Sequence, residues 1–338
     1  MSLCIPWKKI ETVQPASSQV SLKSNSTDNS SFCGHFIETG KVKNIKVAIK
    51  KLGSGCSFVL NRNVLLSLKI MKDIKHENVN RFIGICLEHP NACILMEFAK
   101  RGSLYDVLQD SSINLTWDFK ISLLTDIAQG MKYLHSTPLG SHGHLTSSNC
   151  VVTSRWSCKI TDYGLHQLKQ QALANSSENK RLNFLQLLWT APELISEHRA
   201  DSQGSQKGDV YSFGIITQEV VLQDVPYADN YPAQMSEEIV KCVKERREPP
   251  YRPYLDPVKC SPPWRDLMHR CWMDDEKKRP TFSKVLSLIQ EISGGHLPSL
   301  VDSMINRLEY HTKHLEDVIY RTGRRKSENG DFIARPSS

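Results

Sequence analysis

Four short motifs carry the side chains of this chain that could do chemistry. In order along the sequence, V-A-I-K ends at Lys50, H-G-H-L begins at His142, D-Y-G begins at Asp162 and A-P-E ends at Glu193. These motifs offer an ammonium group, imidazoles and carboxylates, which can pair with anions, exchange a proton or hold a cation. One such motif would carry little weight, but four in a fixed order indicate a common site.

The motifs resemble the protein-kinase signature set, in which they occur in the same order. The resemblance covers roughly residues 40–292. It implies that Lys50 pairs with nucleotide phosphates and that Asn149 and Asp162 are the metal-binding residues, for magnesium. It also places Met96 and Glu97 at the hinge that binds the nucleotide. The expected cofactor is ATP, bound weakly in a regulatory role, with magnesium as an optional companion.

The same resemblance implies several structural roles. Glu193 and Arg279 are expected to form a buried ion pair, and Met96 is expected to line the pocket just before the hinge. Trp189 and Trp272 are expected to lie in the core.

The chain departs from the kinase pattern where catalysis would occur. His144 stands in place of the catalytic aspartate, and Gly143 stands in place of the arginine before it. Ser67 occupies the helix position whose glutamate would pair with the strand lysine. Upstream of that lysine only Gly34 and Gly40 are available, so a G-x-G-x-x-G loop cannot cradle phosphates. We therefore predict no catalytic residue and weak nucleotide binding.

His144 could in principle act as a base, because the unperturbed pKa of histidine is ~6.5. A neutral imidazole lacks the negative charge that orients the substrate hydroxyl and offsets nearby cations. A divergent tyrosine-kinase-like protein kinase that uses His144 stays open as an alternative.

Longer segments resemble the kinase-homology domain of membrane receptor guanylyl cyclases. These are the loop at 141–152, the D-Y-G segment at 159–164, two stretches at 188–194 and 207–216, and the lead-in I-P-W at 5–7. The resemblance implies a domain that transmits an extracellular signal to a following cyclase domain, with ATP as a modulator. It implies regulation without phosphate transfer.

The elements that must position these residues fall into two groups. Short β-like runs at 46–50 and 92–98 enclose a helical pattern from about residue 61 to 74. From residue 103 onward helical patterns dominate, at 104–108, 117–135, 209–222, 235–244 and 264–273. This predicts an α+β, two-lobed protein-kinase-like fold with a small strand-rich N-lobe and a mainly helical C-lobe, followed by a coiled-coil-type helix.

Composition excludes several other classes. The net charge of +7 lies in short clusters without a nucleic-acid-binding motif, so we predict no nucleic-acid partner.

The sequence has no C-x-x-C, and four cysteines within apolar runs are predicted to be buried thiols of a reducing compartment: Cys86, Cys93, Cys150 and Cys158. No window approaches ~18 uninterrupted apolar residues, which predicts no membrane span. The chain as given is predicted to be cytoplasmic, with the parent receptor in the plasma membrane.

The domain boundaries follow changes in composition. Residues 1–35 are predicted to be a juxtamembrane-like segment and a polar linker, and residues 36–293 the kinase-like domain. Residues 323–338 are predicted to be a polar tail.

A helix with a heptad pattern is predicted over 298–322, where apolar residues recur at steps of three and four: Val301, Met304, Leu308, Leu315 and Val318. It is expected to be the start of a dimerisation helix that pairs this chain with itself or with a receptor guanylyl cyclase. A single amphipathic helix folded back on the domain is the alternative, because His311 interrupts the pattern.

These observations predict a catalytically inactive kinase-homology regulatory domain of a receptor guanylyl cyclase, in cGMP signalling, truncated before the cyclase domain. The second interpretation is a non-enzymatic interaction protein that pairs with intact receptor subunits and inhibits them.

Overall fold

A computed structural model describes residues 3–13, 38–52, 58–174, 180–195, 204–228, 236–246, 248–295 and 312 of the chain. These residues form a small lobe built on a β-sheet and a larger helical lobe.

A five-stranded antiparallel sheet forms the small lobe, with its strands in the order β1-β2-β3-β5-β4. The strands are β1 (Glu11–Val13), β2 (Glu38–Val42), β3 (Ile45–Lys51), β4 (Phe82–Cys86) and β5 (Cys93–Glu97). Strand β3 buries Val47 and Ile49 on one face. Because strand side chains alternate between faces, Lys50 points to the opposite face.

Helix α1 (Arg62–Asp73) packs against β4 through an apolar stripe of Val64, Leu68 and Met71. Asn61 caps its first turn, since the Asn61 side chain accepts a hydrogen bond from the backbone amide of Val64 at 2.8 Å.

Residues 3–13 also belong to the small lobe. The backbone amide of Ile5 donates to Ile85 of β4 at 2.8 Å, and β1 pairs with β2. A Cβ on Gly84 would lie 2.5 Å from the Ile5 side chain, so glycine allows the segment to lie close to the sheet. The small lobe therefore begins well before position 36, within the segment that the sequence predicts to be juxtamembrane-like.

The large lobe surrounds helix α7 (Gln206–Leu222), which is buried from Gly208 to Val221. Helices α3 (Trp117–Ser136) and α9 (Pro262–Cys271) pack against α7, and α10 (Phe282–Ile292) packs against α3. The remaining elements are α2 (Leu104–Gln109), the hairpin β6 (Cys150–Val152) and β7 (Cys158–Ile160), α4 (His166–Ala174), α5 (Lys180–Leu187), α6 (Pro192–Ile195) and α8 (Ser236–Lys244).

The predicted α+β, two-lobed fold is confirmed, and the predicted helices correspond to α1, α2, α3, α7, α8 and α9. Trp189 and Trp272 are buried, as are the four cysteines predicted to be core thiols. The predicted polar linker, the predicted dimerisation helix over 298–322 and the predicted tail lie outside the described residues, except for residue 312. Within the described ranges, no helix has the length and apolar character needed to cross a membrane.

Candidate functional site

A buried carboxylate of α7 holds the loop that carries His144. Asp209 is 1% exposed and accepts hydrogen bonds from the backbone amides of His142 and Gly143, each at 2.8 Å. Gly143 has a φ of +80°, which favours glycine. The backbone of Gly204 lies so close that a Cβ on Gly204 would be 2.2 Å from the Cα of Gly143. The glycine that replaces the kinase arginine therefore fits a left-handed backbone in a crowded position.

His142 has a structural role in this loop. Its Nδ1 accepts from the backbone amide of His144 at 3.2 Å, and its Nε2 lies 2.8 Å from the carbonyl oxygen of Thr161. These two partners require a proton on Nε2 and none on Nδ1. Burial lowers the pKa of His142 although Asp209 opposes the shift, so the ring is neutral at pH 7.

His144 contacts helix α4 through a second histidine. Its Nε2 lies 3.4 Å from Nδ1 of His166, and the two ring centroids are 5.6 Å apart. The centroid separation is close to the sum of the N···N distance and the two ring radii, so the two nitrogens point at each other. One proton between them makes a hydrogen bond, whereas a proton on each nitrogen would cause repulsion. Burial, followed by the charge of Lys169, lowers the pKa of His144 below its ordinary value. The ring is therefore uncharged at pH 7.

A carboxylate between two lysines lies beside this histidine pair. Lys50 of β3 forms an ion pair with Oδ2 of Asp162, and Nζ of Lys169 in α4 lies 3.8 Å from the same oxygen. The Asp162 side chain is 4% exposed. Burial alone would raise the pKa of Asp162, but the charges of Lys50 and Lys169 outweigh it and hold the pKa well below its usual range.

The turn that carries Asp162 is fixed by contacts with the small lobe. The hydroxyl group of Tyr163 donates to the backbone carbonyl of Asn80 at 2.7 Å. Gly164 has a φ of +69°, and a Cβ there would lie 2.9 Å from the side chain of Met71 in α1. The D-Y-G turn therefore packs directly on the helix that carries Ser67.

Ser67 is half-buried on α1 and has no charge to offer Lys50. The ammonium group of Lys50 pairs instead with Asp162 of the large lobe. The sequence predicted that the helix glutamate is absent. The structure adds that Lys50 pairs with the aspartate of the D-Y-G turn.

Met96 and Glu97 lie at the end of β5, next to β3. Met96 is buried and pairs with Ala48 in the sheet register. The backbone amide of Glu97 donates to the Arg81 carbonyl at 2.9 Å, and the Glu97 carbonyl accepts from Nδ2 of Asn80 at 3.1 Å. The end of β5, where the sequence predicts the hinge, is therefore tied to the segment before β4.

The residues predicted to hold magnesium do not form an open pair of oxygen ligands. Nδ2 of Asn149 donates to the carbonyl oxygen of His144 at 2.7 Å, and Asp162 faces the two lysines. Across the described ranges, no group of three or more His, Cys, Asp or Glu side chains is arranged to hold a metal ion. A kinase-type magnesium site needs only one or two carboxylates together with nucleotide phosphates and waters. Here two ammonium groups already face the Oδ2 atom of Asp162, and this does not suit a divalent cation.

The predicted ion pair of the large lobe is confirmed. Both terminal nitrogens of Arg279 donate to the carboxylate of Glu193, at 2.6 and 2.8 Å. The arginine side chain is fully buried, and Nε donates to the carbonyl of Met273 at 2.7 Å.

Two residues that contact the site, His166 and Lys169, were not predicted. They lie three positions apart in α4 and therefore on one face of the helix. The segment from Gln167 to Ala174 consists of good helix formers, which was the available signal for a helix. Nothing local in the sequence showed that this face would meet His144 and Asp162.

The sequence matches a family model described as protein tyrosine and serine/threonine kinase over residues 30–289. The chain belongs to this family. It is 40% identical over 309 residues to atrial natriuretic peptide receptor 2 of Anguilla japonica, and the matched stretch covers 90% of this chain and 29% of that receptor. It is 39% identical over 299 residues to the human receptor of the same name, covering 87% of this chain and 28% of that one.

A receptor-type guanylate cyclase of Drosophila melanogaster is 33% identical over 308 residues, which covers 89% of this chain and 20% of that one. The predicted kinase-homology region of the receptor guanylyl cyclase type is confirmed. The chain spans less than a third of the length of these curated relatives.

Proposed function

We propose that this kinase-like region regulates a receptor guanylate cyclase and transfers no phosphate itself. The observation that carries the proposal is the contact between His144 and His166, at the position where a kinase has its catalytic aspartate. A neutral imidazole facing another imidazole cannot supply the negative charge that orients a substrate hydroxyl.

A transfer assay with labelled ATP and Mg²⁺ tests this proposal. We expect the 338-residue chain to label itself and generic peptide substrates no more than its Asp162→Ala variant does. The physical reason is that the base is uncharged and Asp162 is occupied by lysines. Transfer by the unmodified chain that His144→Ala abolishes would contradict the proposal and establish the divergent-kinase alternative.

We further propose that the region binds ATP as a regulatory ligand. Lys50 supports this, because its side chain is 36% exposed and its ammonium group lies next to Asp162, on the central strand β3 beside the strand β5 that leads to Met96 and Glu97. Calorimetric titration of ATP should give a weak but saturable heat that Lys50→Ala reduces. The absence of any heat up to millimolar nucleotide would contradict this part of the proposal.

The second candidate function is pairing with an intact receptor subunit, and the apolar residues at heptad spacing over 298–322 favour it. Sedimentation should show a dimer that Leu308→Glu disrupts and the matched control Asn306→Glu, outside the apolar positions, preserves. A chain that stays monomeric at high concentration and fails to co-purify with a full-length receptor would rule this candidate out.

A further inference from the structure

We infer that Lys169 takes the place of the divalent metal ion at Asp162, so that nucleotide phosphates are held by two lysines without a metal. The inference rests on the proposed nucleotide site and adds to it the form of the ligand, which is the free nucleotide anion rather than its magnesium complex.

The first support is the position of the two ammonium groups. Lys50 and Lys169 come from opposite lobes and approach the same Oδ2 atom of Asp162. The carboxylate is almost completely buried, whereas the lysine side chains are 36% and 28% exposed. Part of each lysine side chain therefore reaches solvent, whereas the carboxylate between them does not. Burial lowers the pKa of Lys169 to about 8, so its ammonium group stays largely charged at pH 7.

The second support is the charge of the set. In a protein kinase, a lysine and its helix glutamate accompany an aspartate that holds magnesium. Here Ser67 removes one negative charge, and Lys169 supplies one positive charge where one magnesium ion would supply two. The two changes compensate, so Lys50, Lys169 and Asp162 keep a single net positive charge for an anion without any metal.

The third support is the fixed orientation of α4. The helix begins four residues after Asp162, and its first residue, His166, faces His144 of the loop. This contact sets the rotation of the helix and places Lys169, one turn later, toward Asp162. Asn149, the other predicted metal ligand, uses its amide to hold the His144 carbonyl.

A divalent ion at Asp162 would have to displace Lys169 or lie beside its ammonium group. Like charges at that separation repel strongly in a partly buried site. Magnesium should therefore compete with the site instead of completing it, because it also binds the phosphates in solution and lowers their negative charge.

Calorimetric titration of ATP into the 338-residue chain, once with Mg²⁺ and once with EDTA, tests the inference. The unmodified chain should bind ATP in EDTA at least as tightly as in Mg²⁺. The Lys169→Ala substitution should weaken ATP binding in EDTA about tenfold, which corresponds to about 1.4 kcal/mol. The Lys169→Ala variant should then bind ATP more tightly in Mg²⁺ than in EDTA. The matched control Lys284→Ala removes a lysine of α10 that is 55% exposed and should behave like the unmodified chain.

The outcomes separate this inference from the proposed function. Binding by the unmodified chain that is several-fold tighter with Mg²⁺, or a Lys169→Ala variant with unchanged affinity in EDTA, would overturn the role of Lys169 and leave the nucleotide site standing. No binding in either buffer would overturn the nucleotide site and the inference together. Melting temperatures of all variants, measured without nucleotide, exclude loss of folding as the cause.

Discussion

Arg279→Ala is expected to destabilise the large lobe by about 3–5 kcal/mol, the usual effect of removing one partner of a buried ion pair. The guanidinium makes two hydrogen bonds to Glu193 and one each to the carbonyls of Met273 and Lys207, and its side chain is fully buried. Its removal leaves the Glu193 carboxylate, which is 11% exposed, without its main counter-charge. Denaturant unfolding at pH 7 measures the change.

Arg270→Ala is the matched control, because Arg270 pairs with Asp266 on the surface with about half of each side chain exposed. Such pairs contribute roughly 0.3–0.5 kcal/mol. Arg279→Lys keeps the charge but cannot make both hydrogen bonds to Glu193, so its free energy of unfolding should lie below that of Arg270→Ala and above that of Arg279→Ala. If Arg279→Ala fails to fold, the comparison of Arg279→Lys with Arg270→Ala still measures the effect. Equal unfolding free energies for Arg279→Ala and Arg270→Ala would contradict this account of the ion pair.

Glu219→Gln is expected to remove a large pH dependence of stability. Glu219 of α7 is fully buried and accepts hydrogen bonds from Nε1 of Trp189 at 2.7 Å and from Oγ of Ser147 at 2.8 Å. Burial raises the pKa of Glu219 to about 8, although both hydrogen bonds oppose the shift. In the Glu219→Gln variant, the amide oxygen can accept from Nε1 of Trp189 and the amide nitrogen can donate to Oγ of Ser147, so both partners are kept without an ionisable group.

The sign of the effect follows from proton uptake. Between the ordinary pKa of 4.5 and the raised value of about 8, the folded chain binds a proton at Glu219 that the unfolded chain has lost. The contribution of this carboxyl group to stability is therefore complete below pH 4.5 and is lost as the pH rises through 8. The advantage of Glu219→Gln over the unmodified chain should grow between pH 5 and 8 by up to about 1.4 kcal/mol per pH unit.

Unfolding free energies at pH 5, 6, 7 and 8 test this expectation. The difference between the two chains is the relevant quantity, because the other ionisable groups titrate equally in both. A difference that stays constant from pH 5 to pH 8 would show that Glu219 is ionised in the folded chain.

The sequence predicted the large lobe well because its helices are long and periodic. Helix α3 shows this, since a run from Trp117 to Ser136 contains enough turns for an apolar stripe to be read directly. Strand β1 was missed because three residues carry almost no pattern and a polar stretch separates them from β2. The contact of Ile5 with β4 depends on the missing side chain of Gly84, which is visible only in three dimensions.

The candidate site divides in the same way. The motifs predicted which residues would stand at the kinase positions, including Lys50, His144 and Asp162. They could not predict the partners of these residues, because a contact across the two lobes has no local signal in the sequence. The role of α4 is the clearest case: its helical character could have been read, but its approach to Asp162 could not.

His144 is therefore one part of a larger change in this site. In the function proposed above, the histidine replaces the base, Ser67 removes the glutamate partner of Lys50, and Lys169 takes the place of magnesium at Asp162. Each change affects a different requirement of phosphoryl transfer, so reversal of one should not restore activity.

The most direct test of this account is labelled-ATP transfer by the His144→Asp variant in the presence of Mg²⁺. The account predicts that the unmodified chain and His144→Asp both stay at the level of Asp162→Ala, because the metal site and the lysine partner remain altered. Transfer by His144→Asp alone would show that only the base is missing and would contradict the account, as would any transfer by the unmodified chain.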